Sequence, residues 1–140
     1  MMQQWHGELR VENQGRGLYE ITAEIAAWVG SMGLHDGLLT VFIPHTSASL
    51  LIQENYDPDV RTDLERFLGD LVPDGDGRYV HRNEGPDDMP AHVRAALTQT
   101  QVAIPVRGGV LQLGPWQGIY LWEHRHDAHQ RRILLHLAGE

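Results

Sequence analysis

The order of apolar runs along the chain constrains its fold most. Strand-type runs follow one another through short turns, and three helical stretches fall among them without regular βαβ alternation. Trp5 to Glu12 alternates and reads as a strand; Leu18 to Ile21 follows the Gly15-Arg16-Gly17 turn as a second. Thr22 is placed to cap a helix through Met32 that buries Ile25, Ala26, Trp28 and Val29 and stops at Gly33. Leu38 to Ile43 (LLTVFI) is almost continuously apolar, which predicts a central strand covered on both faces; Pro44 interrupts it and Ser49 to Gln53 resumes. Asp57-Pro58 opens the clearest helix, with Val60, Leu64, Phe67, Leu68 and Leu71 as one stripe, an Arg61–Glu65 pair on the other side, and Pro73 as its end. A third helix starts at Asp87-Asp88, with Asp87 as cap and Pro90 in the first turn, and runs to about Thr98 on Met89, Val93, Ala96 and Leu97. Val102 to Val106 and Val110 to Leu113 form a hairpin around Gly108-Gly109, and Gln117 to Arg125 and Ile133 to Leu137 are two more strands. This order predicts an α+β fold: one compact domain over residues 1–140, a largely antiparallel sheet or sandwich with about three helices.

Composition removes whole classes of function. All 11 basic residues are arginine, against 19 acidic ones, for a net charge of -8; an acidic surface argues against a nucleic-acid partner. Without lysine there is no side-chain Schiff base and no Walker-type phosphate loop, and without cysteine there is no disulfide and no thiolate metal site. No apolar run approaches the roughly 18 residues of a membrane span, and MMQQWHGE lacks a signal-peptide core, so no membrane partner and a cytoplasmic location are expected. Nine histidines remain, and neutral imidazole is the commonest metal ligand.

Four stretches concentrate chemistry. His81 to His92 (HRNEGPDDMPAH) packs two histidines, Glu84, Asp87, Asp88 and a Gly85-Pro86 turn into twelve residues; this set suits Zn²⁺ or a similar divalent ion, with the histidine nitrogens bound and the carboxylates holding those rings or a bound water, and with capping as the plainer role for the acids. His45-Thr46-Ser47-Ala48-Ser49 places a histidine and three hydroxyls at the end of a strand, where a rigid element meets an accessible loop. Glu54 shares the parity of Leu50 and Ile52, so it faces the covered side as a candidate acid/base unless the strand has already ended. Trp116 to Arg125 puts Gln117, Glu123 and Arg125 on one face and Trp116, Tyr120, Trp122 and His124 on the other; Glu123 and Arg125 could orient each other and hold an anion, although core packing is the commoner use of such a strand.

Together these blocks resemble the YjbQ-like family, also called the secondary thiamine-phosphate synthase family. The matching residues are HTSASLLIQEN (His45 to Asn55) with DPDVRTDLERFL, RYVHRNEGPDDMPAH (Arg78 to His92) and IPVRGGVLQLGPWQGIYLWEHR (Ile104 to Arg125), in that order over nearly the whole chain. The chain departs from it in two places: Pro115 stands where the family has Thr, and Thr98 to Gln101 (TQTQ) replaces a Gly- and Ser-containing stretch. The resemblance implies a homotrimer and a metal or anion pocket, with His45, His81 and His92 holding a divalent metal, most naturally Zn²⁺. In the catalytic reading that follows, Glu54, Asp87, Asp88, Glu123 and Arg125 handle protons, orient ligands or pair with phosphate, while Thr46, Ser47, Ser49, Glu84, Gly85, Trp116 and Gln117 bind substrate. The implied reaction joins hydroxymethylpyrimidine diphosphate to thiazole phosphate and releases pyrophosphate, so the expected partner is a small phosphorylated metabolite. Two other readings use the same residues: a metal-dependent hydrolase of a phosphorylated or cyclic metabolite, and a non-enzymatic trimer that binds a metabolite.

Overall fold

A computed structural model describes residues 1–140. Eight strands and three helices follow in the order β1 (Gln3–Glu12), β2 (Gly17–Glu20), α1 (Thr22–Ser31), β3 (Gly37–Phe42), β4 (Ala48–Glu54), α2 (Pro58–Leu71), α3 (Asp88–Leu97), β5 (Gln101–Arg107), β6 (Val110–Leu111), β7 (Gln117–Glu123) and β8 (Gln130–Gly139). They form a five-stranded sheet ordered β1-β8-β3-β5-β6 and a three-stranded sheet ordered β2-β7-β4. Every strand pair is antiparallel, although only β5 and β6 are joined by a tight turn and the other pairs bring together strands distant in sequence. The expected α+β architecture is therefore the observed one.

The inner faces of the two sheets meet over α1. Leu39 and Val41 of β3, Ile104 of β5, Ile133, Leu135 and Leu137 of β8, Leu50 of β4, Ile119 and Leu121 of β7, and Ile25 and Val29 of α1 belong to one core. On its outer face the smaller sheet is covered again, where Trp122 packs with Leu68 and Val72, and Leu64 and Val93 close in from α2 and α3. Position thus decides which strand is buried on both sides. Six consecutive residues of β7 are buried, whereas β3 alternates, with Leu38 and Phe42 exposed. The LLTVFI run is central within its sheet but covered on one face only, because no helix lies across the outside of the larger sheet.

Local chemistry explains the element ends, with four departures from expectation. Asp57 caps α2 by accepting the Asp59 N–H at 2.9 Å, and Pro58 occupies the first turn. Gly33 ends α1 at φ 71°, and Gly108 and Gly109, at φ 58° and 75°, supply the two left-handed residues that a tight hairpin turn needs. Thr22, however, does not cap α1: its hydroxyl donates to Glu20 at 2.8 Å and accepts the Ile119 N–H at 2.8 Å, tying the helix start to β7. Glu65 does not pair with Arg61. It accepts the Leu18 N–H at 2.9 Å, and Arg61 lies over the Tyr120 ring. The third helix buries Asp88, Pro90, Ala91, Arg94 and Ala95 and leaves Leu97 exposed, so its covered face is turned away from the apolar stripe. β7 ends at Glu123 and does not carry Arg125.

Candidate metal centre

The start of α3 gathers the charged side chains of the surrounding loops. Gly75 N–H bonds Pro86 C=O at 3.1 Å, tying the loop after α2 to the turn before α3. Gly85 turns the chain at φ 100°. Immediately beyond β7, Arg125 swings onto this turn: its Nε donates to Asp87 at 2.9 Å, Nη1 to Asp88 Oδ1 at 2.8 Å, and Nη2 to the Glu84 carbonyl at 3.1 Å. The His126 N–H adds a 2.9 Å bond to Asp87. Burial pushes the Asp87 pKa up, but the His126 N–H and the Arg125 guanidinium outweigh it and hold the carboxyl at about 2. The same bond to Asp87 raises Arg125. Asp87 is therefore a bracket for the arginine and not the side-chain cap of α3.

With one oxygen fixed by Arg125, Asp88 aims the other at two imidazoles. Oδ2 lies 2.8 Å from His81 Nε2 and 3.2 Å from His92 Nε2. The Asp88 side chain is 3% exposed, while His81 and His92 face solvent at 46% and 31%. His92 is oriented from behind, its Nδ1 standing 3.0 Å from the Thr46 carbonyl, which can only accept. That partner assigns the proton to Nδ1 and leaves Nε2 two options. Protonated, it donates to Asp88; unprotonated, it offers a lone pair to a cation. Two imidazole nitrogens and one carboxylate oxygen, all within 4.8 Å of one another, match in number and type the donors of an open divalent-metal site. A bound ion would replace protons, so its affinity would rise with pH.

Several of the other candidates do not converge here. His45, the implied third ligand, is not among the three donors: its Nε2 accepts the Arg132 N–H at 3.0 Å, and burial followed by the Arg131 charge lowers its pKa. Asp88 stands in its place, because i,i+4 spacing puts Asp88 and His92 on one side of α3. Register separates the others. β4 pairs with β7 so that Ala48 faces Glu123 at one end and Glu54 faces Gln117 at the other, roughly 20 Å apart at strand rise. Glu54 accepts the Asp57 N–H there, Gln117 accepts the Gly114 N–H, and Trp116 packs against Tyr56. Pro115 lies at that far end too, so the missing hydroxyl is remote from the histidines. Thr46 contributes its carbonyl, Glu84 its carbonyl, and Gly85 its backbone turn.

A model of the UPF0047 protein YjbQ-like family matches residues 7–140. The chain belongs to this YjbQ-like family. It is 53% identical to a UPF0047 protein of Synechocystis sp. over 94% of this chain and 90% of the relative. It is 44% identical to UPF0047 protein YjbQ of Escherichia coli over 94% and 96%. A crystal structure of a YjbQ/UPF0047 family protein from Clostridium acetobutylicum superposes with a TM-score of 0.81 at 34% identity, covering 91% and 96%. The fold also matches a YbjQ-like protein from Sulfolobus solfataricus, with a TM-score of 0.90 at 24% identity over both full chains.

In this YjbQ-like chain the other conspicuous polar residues form a buried frame behind the centre. Glu123, fully buried, accepts two bonds of 2.6 Å from Arg131, one of 2.8 Å from Asn13, and the backbone N–H groups of His124 and Arg125. Burial raises its pKa, but Arg131 and these donors outweigh it and the net shift is downward. With its oxygens so occupied, Glu123 braces the Arg125 backbone. Ser47 accepts from Arg131 at 2.9 Å, and Ser49 lies 2.9 Å from His124 Nε2, so both hydroxyls face inward. Burial, then the Arg94 charge, holds His124 at about 3, neutral at ordinary pH. Arg131 carries a signal that sequence reasoning missed: it shares the parity of Ile133, Leu135 and Leu137, and a charge on an apolar strand face demands a buried partner. The Arg16–Asp74 pair, with His126 2.7 Å from the same carboxylate, has no such signal, since its members are far apart in sequence.

Proposed function

We propose that the chain is a divalent-metal-dependent enzyme acting on a small phosphorylated metabolite at His81, Asp88 and His92, with Zn²⁺ as the first ion to test. The observation that carries this reading is the convergence of two imidazole nitrogens on an Asp88 carboxylate fixed by Arg125. A bound ion would supply Lewis-acid charge for phosphate oxygens. The chain's own residues fix the geometry: Arg125 holds Asp88, Thr46 sets the His92 tautomer, and the Asp87–Arg125 pair keeps the turn rigid. Metal content of the purified protein and of Asp88→Asn and His81→Ala tests this reading. Loss of a stoichiometric ion in both variants is expected, and unchanged content in both would sink it.

The resemblance adds the specific reaction, joining hydroxymethylpyrimidine diphosphate to thiazole phosphate with release of pyrophosphate. Hydrolysis of a phosphorylated or cyclic metabolite is the second reading. One observation favours it: the cleft beside His81 has a volume of about 300 Å³, at the small end of ligand pockets and suited to one compact substrate. Pyrophosphate release only when both substrates are present supports transfer; phosphate release from a simple ester alone supports hydrolysis. The homotrimer implied by the resemblance is proposed as the working assembly, supported by the exposed Leu38 and Phe42 on the outer face of the larger sheet.

A further inference from the structure

The two imidazoles of the centre arrive by different routes. His92 shares α3 with Asp88, four residues on, so the helix itself fixes these two donors relative to one another. His81 comes on residues 75–85, a stretch between α2 and α3 that contains no strand or helical turn. Both ends of this stretch are pinned by arginines. Before it, Asp74 accepts bonds from Arg16 at 3.0 and 3.1 Å, lies 2.7 Å from His126 Nε2, and has Arg94 at 3.8 Å. After it, Arg125 holds the Glu84 carbonyl and the Asp87 carboxylate. The Gly75 N–H closes the base on the Pro86 carbonyl, and Gly75 and Gly85 make the bends at φ 74° and 100°, which glycine takes most readily.

Between the pins, little holds the stretch down. None of residues 74–85 is buried, and Val80 is 94% exposed. Arg78 bonds only Asp76, within the stretch itself. From residues 76–83 a single hydrogen bond reaches the rest of the chain, the 2.8 Å contact of His81 Nε2 with Asp88. Beneath lies the cleft of about 300 Å³, walled by Tyr79 and His81 on one side and by Met89 and Pro90 of α3 on the other. Firm ends, one latch and open space below are the parts of a surface loop that moves as a unit.

We propose that residues 75–85 form a strap over the centre, latched through His81 alone, and that a divalent ion shuts it. The proposal rests on the reading of His81, Asp88 and His92 as a metal centre, and it gives that centre an order of assembly. Asp88 and His92 receive the ion on a preformed helical face, and His81 follows with the strap. Without an ion, one hydrogen bond holds the strap down against the entropy of an exposed loop. With an ion, the His81 nitrogen is bound together with Asp88 and His92, and the mouth of the cleft is fixed. Occupancy of the centre thereby governs entry to the cleft.

The chain has no cysteine, so a nitroxide attached at Val80→Cys reports the strap alone, through the mobile and immobile components of its electron spin resonance spectrum; zinc content is measured alongside. In metal-free protein, His81→Ala is expected to raise the ratio of mobile to immobile label by about tenfold, the scale of one hydrogen bond to a charged group. His92→Ala, which spares the latch, is expected to leave that ratio unchanged. Zinc is expected to lower the ratio in the parent by about tenfold or more, as metal bonds replace the hydrogen bond, and to leave it unchanged in His81→Ala. A label no more mobile in metal-free His81→Ala than in the parent overturns the latch, and a zinc-bound parent as mobile as the metal-free protein overturns closure. If zinc does not bind, the metal reading fails and takes closure by the ion with it, while the metal-free comparison still decides the latch.

Discussion

Arg125 and Glu123 are two residues apart in sequence but have different jobs. Arg125 holds Asp88 through one oxygen, so on the proposed metal reading Arg125→Gln should weaken zinc binding by about 10- to 100-fold, the usual cost of losing an outer partner of a metal ligand; competition with a chromogenic chelator measures it. Glu123 is enclosed with Arg131. Glu123→Gln leaves that arginine buried without its counter-charge, and urea denaturation should show a loss of about 3–5 kcal/mol with zinc stoichiometry unchanged. His124 gives a pH signature. It titrates near 6.5 when unfolded and at about 3 when folded. Below pH 6.5 the unfolded chain therefore takes up a proton that the folded chain refuses. Its stabilising contribution is complete above 6.5 and is lost progressively towards pH 3, by about 1.4 kcal/mol per pH unit. His124→Asn should remove one proton's worth of that slope in stability measured across this range.

Two helices begin with aspartate, and the two aspartates do different work. Asp57 caps α2 in the ordinary way, and Asp57→Ala should cost about 1 kcal/mol with no effect on zinc. Asp87 precedes α3 but spends its carboxylate on Arg125 and the His126 N–H. Asp87→Ala should cost more stability than Asp57→Ala and should also loosen zinc binding, because Arg125 loses its bracket. Parallel denaturation and chelator titrations of the two variants separate a cap from a scaffold. Aspartate before a helix reads as a cap in either case; what the side chain reaches across the fold is visible only after folding.

In the whole molecule, two sheets and a helical layer make β7 the most enclosed strand and leave apolar side chains on both outer faces. Leu38 and Phe42 on the larger sheet and Phe67, Leu71 and Leu97 on the helical side are 39% to 68% exposed. Light scattering on the eluted protein should give three times the chain mass of 15.8 kDa, and Phe42→Glu should lower it if the sheet face forms the contact. A monomer mass for the parent protein would count against the trimer.

Periodicity determined the element order and the glycine turn of the β5–β6 hairpin, because these depend on neighbours within a few residues, and the irregular order of strands and helices pointed to the α+β class. The density of ligand-type side chains in HRNEGPDDMPAH likewise marked two histidines and Asp88 before any fold was known. Tertiary structure decided what those marks meant. Strand register carried Glu54, Trp116 and Gln117 away from the histidines, the turn after β7 brought Arg125 to Asp88, and a backbone N–H at Arg132 engaged His45. Each is a pairing between segments distant in sequence, fixed by packing and by the need to satisfy buried charge, which no local pattern encodes.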